Sequence, residues 1–222
     1  MAPRAFDAIV FDLDGTLIDS VPDVRNALNV MLARRGRRAL SVDEVRLTVG
    51  EGARMMLERV FAATGGPEAN FEAALADYLA AYSANPVIDT VVYPGAVAAL
   101  DRLAAAGTRL AICTNKPEGV TRLVIDALGL SSRFDAIIGG DTLPFRKPDP
   151  RHVLETLRLT NVPPTRAAYV GDSETDVAAA KGAGLPVVVV TFGYGHNDID
   201  ALGADALIGH FDHLDTALEG LR

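Results

Sequence analysis

Ala8-Ile9-Val10-Phe11-Asp12-Leu13-Asp14-Gly15-Thr16 decides how this chain folds. A short run rich in β-branched and aromatic side chains ends directly in an acid, the pattern of a strand covered on both faces. Asp12 and Asp14 stand two residues apart, so both face one side of an extended strand end, and Gly15 lets the chain turn away at once. Two carboxylates in one pocket can divide their work, one ionised as nucleophile or metal ligand, the other held protonated as a general acid. A carboxylate nucleophile would split cleavage of a phosphate ester into two easier steps through an acyl phosphate.

The same design recurs downstream. Residues 110–113 run into Thr114, 136–138 into Gly139, 168–170 into Gly171 and Asp172, and 187–190 into Thr191. Between them lie helical patterns over residues 96–106, 119–128, 152–159 and 175–183. Gly107, Gly129 and Gly184 stand where helix C-caps need a positive φ. Strand and helix alternating in this way after residue 93 predicts an α/β fold, a doubly wound parallel sheet with helices on both faces.

One segment breaks the rhythm. Val24, Leu28 and Leu32, then Met55, Leu57 and Val60, then Phe71, Leu75 and Leu79 recur at helical spacing with no strand candidate among them. The expected division is an α/β core of residues 1–16 and 86–222 with an all-helical insert of residues 17–85. Inserted just after the first strand, it would hang over that strand's end, where a lid belongs.

Composition narrows the function. With 222 residues, 49% of them hydrophobic, the chain can bury one sizeable core and a small second one. Lys and Arg number 21 against 29 Asp and Glu, and no stretch gathers enough positive charge to track a phosphate backbone, which speaks against nucleic acid. Cys113 is the only cysteine, so an internal disulfide and a thiolate-clamped zinc are excluded, and a reducing, cytoplasmic setting is expected. Asp7 interrupts the apolar stretch that an export signal needs. The densest apolar run, residues 185–192, carries Pro186 and falls short of the roughly 20 residues of a membrane helix, so no membrane partner is expected. Cys113 ends a buried strand and reads as core, not as a thiol nucleophile. His210 and His213, beside Asp212 and Asp215, suit an exposed turn; His152 and His196 make no stronger metal ligands.

Three further clusters complete a reaction. Thr114-Asn115 follows the second core strand, where a hydroxyl and adjacent backbone N–H groups can hold a phosphoryl oxygen. Lys147 lies in Arg146-Lys147-Pro148-Asp149-Pro150, whose prolines stiffen the loop and fix an ammonium that neutralises phosphoryl charge. Gly171-Asp172-Ser173-Glu174-Thr175-Asp176 places three acids in five residues, enough oxygen ligands to help Asp12 hold one Mg2+ that keeps some of its waters. Together they describe a phosphoryl-transfer site that works by positioning and charge stabilisation. Each cluster is common alone; their order after successive strands is not.

In that order the four clusters resemble the haloacid dehalogenase-like superfamily over nearly the whole chain. The early helical insert is similar to its small cap type, and Thr114-Asn115-Lys116-Pro117, Val49-Gly50-Glu51-Gly52 and Arg146-Lys147-Pro148 look like phosphoglycolate phosphatases. The resemblance implies Asp12 as nucleophile and metal ligand, Asp14 as acid and base and as a ligand through its carbonyl, and Asp172 as the remaining side-chain ligand. Thr114 and Lys147 would bind phosphate, with Asn115 beside them. Asp176 would join the metal group of acids by orienting a metal-bound water or Lys147, with Glu174 as a lesser candidate for that work. Arg54 and Lys116 are candidates to meet a substrate carboxylate from the cap or the rim. The expected partner is a small phosphorylated metabolite, 2-phosphoglycolate first, acted on by a monomer or homodimer. A sugar-phosphate mutase or a pyrophosphatase would share this core. A dehalogenase needs neither the acid at Asp14 nor a metal cage. A phospho-accepting receiver domain is shorter and lacks the helical insert.

Overall fold

A computed structural model describes residues 5–194 and 199–221. The decisive run forms β1 (Ala8–Phe11), followed by the short β2 (Ile18–Asp19) and four helices, α1 (Val21–Ala33), α2 (Val42–Arg46), α3 (Ala53–Ala63) and α4 (Phe71–Ala84). The chain returns through β3 (Val91–Val92). It then alternates α5 (Ala96–Ala105), β4 (Arg109–Cys113), α6 (Glu118–Ala127), β5 (Ala136–Ile138), α7 (Pro150–Thr160), β6 (Ala167–Gly171), α8 (Glu174–Gly182) and β7 (Val187–Val190). β8 (Ala206–Ile208) and α9 (Leu214–Glu219) close it.

Six strands form one parallel sheet in the order β5-β4-β1-β6-β7-β8. Alternation along each strand divides the core between two faces. Ile9, Phe11, Ile112, Val170, Val188 and Val190 pack with α5, α6 and α9 on one side; Ala8, Val10, Cys113, Tyr169, Val187 and Val189 pack with α7 and α8 on the other. This is the doubly wound α/β core that the apolar runs predict. Gly107, Gly129 and Gly184 have φ of 82°, 68° and 76°, as the C-caps require.

Three features escaped the sequence pattern, the first being α2, a five-residue helix between the helical stretches expected in the insert. β8 and α9 extend the sheet and cover its far end, but β8 is three residues with Leu207 40% exposed, too short and too half-buried to stand out. The passage into and out of the helical segment is an antiparallel ribbon, with Ile18 opposite Val92 and Asp19 opposite Val91. Its neighbour Asp23, in the first turn of α1, binds the returning chain: its carboxylate accepts from the N–H groups of Ile88 (2.9 Å) and Thr90 (2.8 Å), from Asp89, and from the Thr90 hydroxyl (2.6 Å). Among the described residues no helix is long and apolar enough to cross a membrane.

Candidate active site

Register brings the strand tips together. Phe11 lies opposite both Ile112 and Val170, so Asp12, Thr114 and Asp172 leave the sheet within about one residue step of each other. The Asp12 N–H bonds to the Val170 carbonyl at 2.9 Å, and the Thr114 N–H to that of Ile138 at 3.1 Å. Gly15 has φ 86°, and a Cβ there would collide with the Asp172 carboxylate, so the turn needs glycine for both conformation and space. Lys147 comes from the loop before α7, through a cis peptide bond to Pro148.

Lys147 organises the floor of the site. Its Nζ lies 2.7 Å from Asp12 Oδ1, 2.6 Å from Asp176 Oδ1 and 3.0 Å from the Tyr169 hydroxyl, with the side chain 2% exposed. Burial disfavours the ammonium, but Asp12 and Asp176 outweigh it and hold its pKa above that of an ordinary lysine. Burial likewise works against Asp176, yet the charge and hydrogen bond of Lys147, with bonds from Ser173 and Tyr169, keep it ionised below the usual carboxylate range. Asp12 goes the other way: burial, with the charges of Asp176 and Asp14, outweighs Lys147 and raises it to about 6.

Asp12, Asp172 and Asp176 each offer a carboxylate oxygen, all within 4.8 Å of one another. Burial and the charges of Asp176 and Asp12 push Asp172 well above the usual carboxylate range. Among the described residues, four carboxylates, counting Asp14, share the site with two ammonium groups, those of Lys147 and Lys116. The surplus of negative charge and the all-oxygen donor set fit a hard divalent cation. Asp176 is already committed: Oδ1 accepts from Lys147 and Tyr169, and Oδ2 from the Asp172 N–H, the Ser173 N–H and the Ser173 hydroxyl. The fit therefore rests on Asp12 and Asp172. Glu174 is exposed at the start of α8 and outside this cluster.

Asp14 faces the same pocket. Its carboxylate accepts from Lys116 Nζ at 2.9 and 3.0 Å and from the Ser20 hydroxyl at 2.5 Å, and Lys116 also donates to the Tyr82 hydroxyl of α4 at 2.8 Å. Thr114 Oγ1 accepts from the Lys116 N–H at 3.2 Å, leaving its proton to donate elsewhere. Asp12, Asp14, Thr114, Asn115 and Lys116 line a cavity of about 40 Å³, closed on the other side by Gly50, Gly52, Met56 and Tyr78 of the helical segment. Arg54 is not brought there: its guanidinium pairs with Glu72 at 2.7 and 2.8 Å on the outer face, half exposed. His210 pairs with Asp212 on the surface, and His196 lies outside the described residues.

Sequence reasoning overlooked Tyr169, Ser20, Tyr82 and Tyr194. Tyr194 donates from its N–H to Asp172 Oδ2 at 2.8 Å, and its hydroxyl accepts from the Ser20 N–H at 2.9 Å. The hydroxyl of a tyrosine buried in a strand, as at 169, usually finds a hydrogen-bond partner, and that was the available signal.

The haloacid dehalogenase-like hydrolase family matches residues 6–184. A phosphoglycolate phosphatase of Rhodospirillum rubrum is 45% identical over 93% of this chain and 88% of its own length. One from Mesorhizobium japonicum is 46% identical over 95% and 93%. Among solved structures, a predicted phosphoglycolate phosphatase from Haemophilus somnus superposes with a TM-score of 0.88 at 30% identity, covering 95% of this chain and 97% of that one. Sequence, sheet order and the converging strand tips agree: the chain belongs to the haloacid dehalogenase-like hydrolases, and within them it is a phosphatase.

Proposed function

We propose that the chain is a Mg2+-dependent phosphomonoesterase that works through an aspartyl-phosphate on Asp12, with 2-phosphoglycolate as its substrate. The observation that carries this reading is the pairing of Lys147 with Asp12 on the floor of a pocket that Asp14 and Thr114 also line.

In the first step an Asp12 carboxylate oxygen attacks phosphorus, the ester P–O bond breaks, and Asp14 gives its proton to the departing alkoxide. In the second, Asp14 takes a proton from water, which attacks the acyl phosphate and returns Asp12 as a carboxylate. Lys147 and the Thr114 hydroxyl stabilise the equatorial phosphoryl oxygens throughout. Asp12, Asp172 and the Asp14 carbonyl would hold Mg2+, which would supply positive charge to neutralise the phosphoryl group. Asp176 keeps Lys147 charged and aimed. Residues 17–85 act as a cap that excludes water from the pocket, over a core of residues 1–16 and 86–222.

Gly50, Gly52, Met56 and Tyr78 narrow the pocket over Asp12 and Asp14, which suits a small phosphomonoester. Lys116 at its wall suits a carboxylate, and the named relatives are phosphoglycolate phosphatases. A panel of phosphomonoesters with Mg2+, read as phosphate release, tests the proposal. 2-Phosphoglycolate should be turned over fastest, and release from none of the esters would end it. Phosphate returned to a sugar instead of to water would identify a mutase.

A further inference from the structure

Asn115 was expected to touch substrate, but its amide is engaged elsewhere. Nδ2 donates to the Gly50 carbonyl at 3.0 Å and to the Lys147 carbonyl at 3.1 Å, joining segments 65 and 32 residues away. Both partners are acceptors, so the amide has one allowed orientation; reversed, it would set Oδ1 against two carbonyl oxygens. In the allowed orientation Oδ1 is buried and accepts no hydrogen bond, in a side chain whose residue is 5% exposed. A bare buried acceptor is unfavourable and calls for an explanation.

The main chain of the same residue makes a second contact with the same loop. A Cβ on Gly52, where φ is 92°, would stand 3.2 Å from the Asn115 carbonyl oxygen. The loop between α2 and α3 therefore straddles Asn115, its Gly50 carbonyl on the amide and Gly52 on the backbone. Gly50, Gly52 and Asn115 all line the cavity that holds Asp12 and Asp14.

We propose that Asn115 is a positioning residue that registers the cap on the phosphate-binding loops. One amide group holds the carbonyl of Lys147, whose ammonium meets Asp12, and the carbonyl of Gly50, which can reach it only when the cap loop is down. The pocket thus closes in the register that aligns Lys147 with the reacting carboxylate, and the bare Oδ1 is the stability given up for that coupling. The proposal rests on the phosphatase reading above.

Amide hydrogen exchange of the protein with Mg2+ alone tests the tie without relying on turnover. Asn115→Asp places an oxygen where the donor stood, and Asn115→Ala removes the group. In both, exchange in residues 47–52 should rise tenfold or more while that of residues 167–171 stays unchanged. For 2-phosphoglycolate, kcat should fall tenfold or more with KM changed less than threefold. Should exchange in β6 rise as well, signalling a folding defect, Gly52→Ala attacks the tie from the cap side and should show the same loosening confined to residues 47–52. Unchanged exchange in that loop in a folded variant, or kcat within twofold of the parent, would overturn the proposal. A parent protein that releases no phosphate from any ester would remove the phosphatase reading, while the exchange measurement would still decide the role of Asn115.

Discussion

Lys116 spends its ammonium on Asp14. Nζ lies 2.9 and 3.0 Å from the two carboxylate oxygens, with the third donor on the Tyr82 hydroxyl at 2.8 Å and the Tyr82 ring 4.5 Å away. Both side chains are nearly buried, so this pair is poorly screened by solvent. A substrate that carries its own carboxylate into the pocket would compete with Asp14 for this ammonium.

That competition gives Lys116→Met a selective effect. A charge-assisted hydrogen bond contributes about 1.5–3 kcal/mol, so kcat/KM for 2-phosphoglycolate should fall about 10- to 100-fold more than kcat/KM for methyl phosphate, which has no carboxylate. Equal losses on the two esters would leave Lys116 as a partner of Asp14 only.

Asp12→Asn removes the attacking oxygen at nearly constant shape. Turnover should drop at least about a thousandfold, and no acid-stable, hydroxylamine-sensitive phosphoprotein should form. A variant that kept parent-level phosphate release would place the nucleophile elsewhere.

The crowded acids of Asp12, Asp172 and Asp176 predict that Mg2+ raises the melting temperature, since a cation that binds only the folded state stabilises it by RT ln(1 + [Mg2+]/Kd). At a hundredfold excess over Kd the gain is about 2.7 kcal/mol. Chelation should reverse it, and Asp172→Asn should abolish most of the shift. A shift preserved in that variant would move the ion away from Asp172.

The strand tips were legible because β1, β4 and β6 are short apolar runs that end in reactive residues, and a parallel sheet aligns such ends by register alone. Contacts that cross between distant segments were not legible. Nothing in the periodicity of α4 marks Tyr82 as the partner of Lys116, 34 residues on, and Ser20 and Tyr194 meet across 174 residues. Arg54 shows the converse: a cation in the right segment was bound to Glu72 one helix away, a pairing that helix orientation decides and spacing does not.

Asp23 shows another limit, since an acid in a first helical turn reads as ordinary dipole compensation. Its residue is 2% exposed and it holds the return strand through several donors. Burial would raise its pKa, but the Thr90 hydroxyl and the N–H groups of Ile88, Asp89 and Thr90 outweigh that and hold it below the usual value. A lowered carboxylate pKa means stability that is present above the unfolded value of about 4 and lost as pH falls through the folded one. Asp23→Ala should cost about 2–4 kcal/mol at pH 7 by urea unfolding, with the gap to the parent narrowing below about pH 4. A gap that stays constant in that range would show that the bonds survive protonation.

His152 should leave the opposite kind of mark on acid stability. Its ring is fully buried, with Nε2 3.1 Å from the Gly139 carbonyl and Nδ1 3.3 Å from Cys113 Sγ. The carbonyl can only accept, so Nε2 carries the proton and Nδ1 takes the thiol hydrogen. Burial raises the Cys113 thiol to about 12, which keeps it protonated for that role. Burial, with the nearby Lys147 charge, lowers His152 to about 4. Between about pH 6.5 and pH 4 the unfolded chain binds a proton that the native ring refuses, so stability falls as pH falls through that window, by roughly 2–3 kcal/mol. His152→Gln removes the titrating group, and its urea midpoint should decline less steeply than the parent's from pH 7 to pH 4.5. Parallel declines would mean that the native ring takes up its proton as readily as the unfolded one, against the burial that the structure gives it.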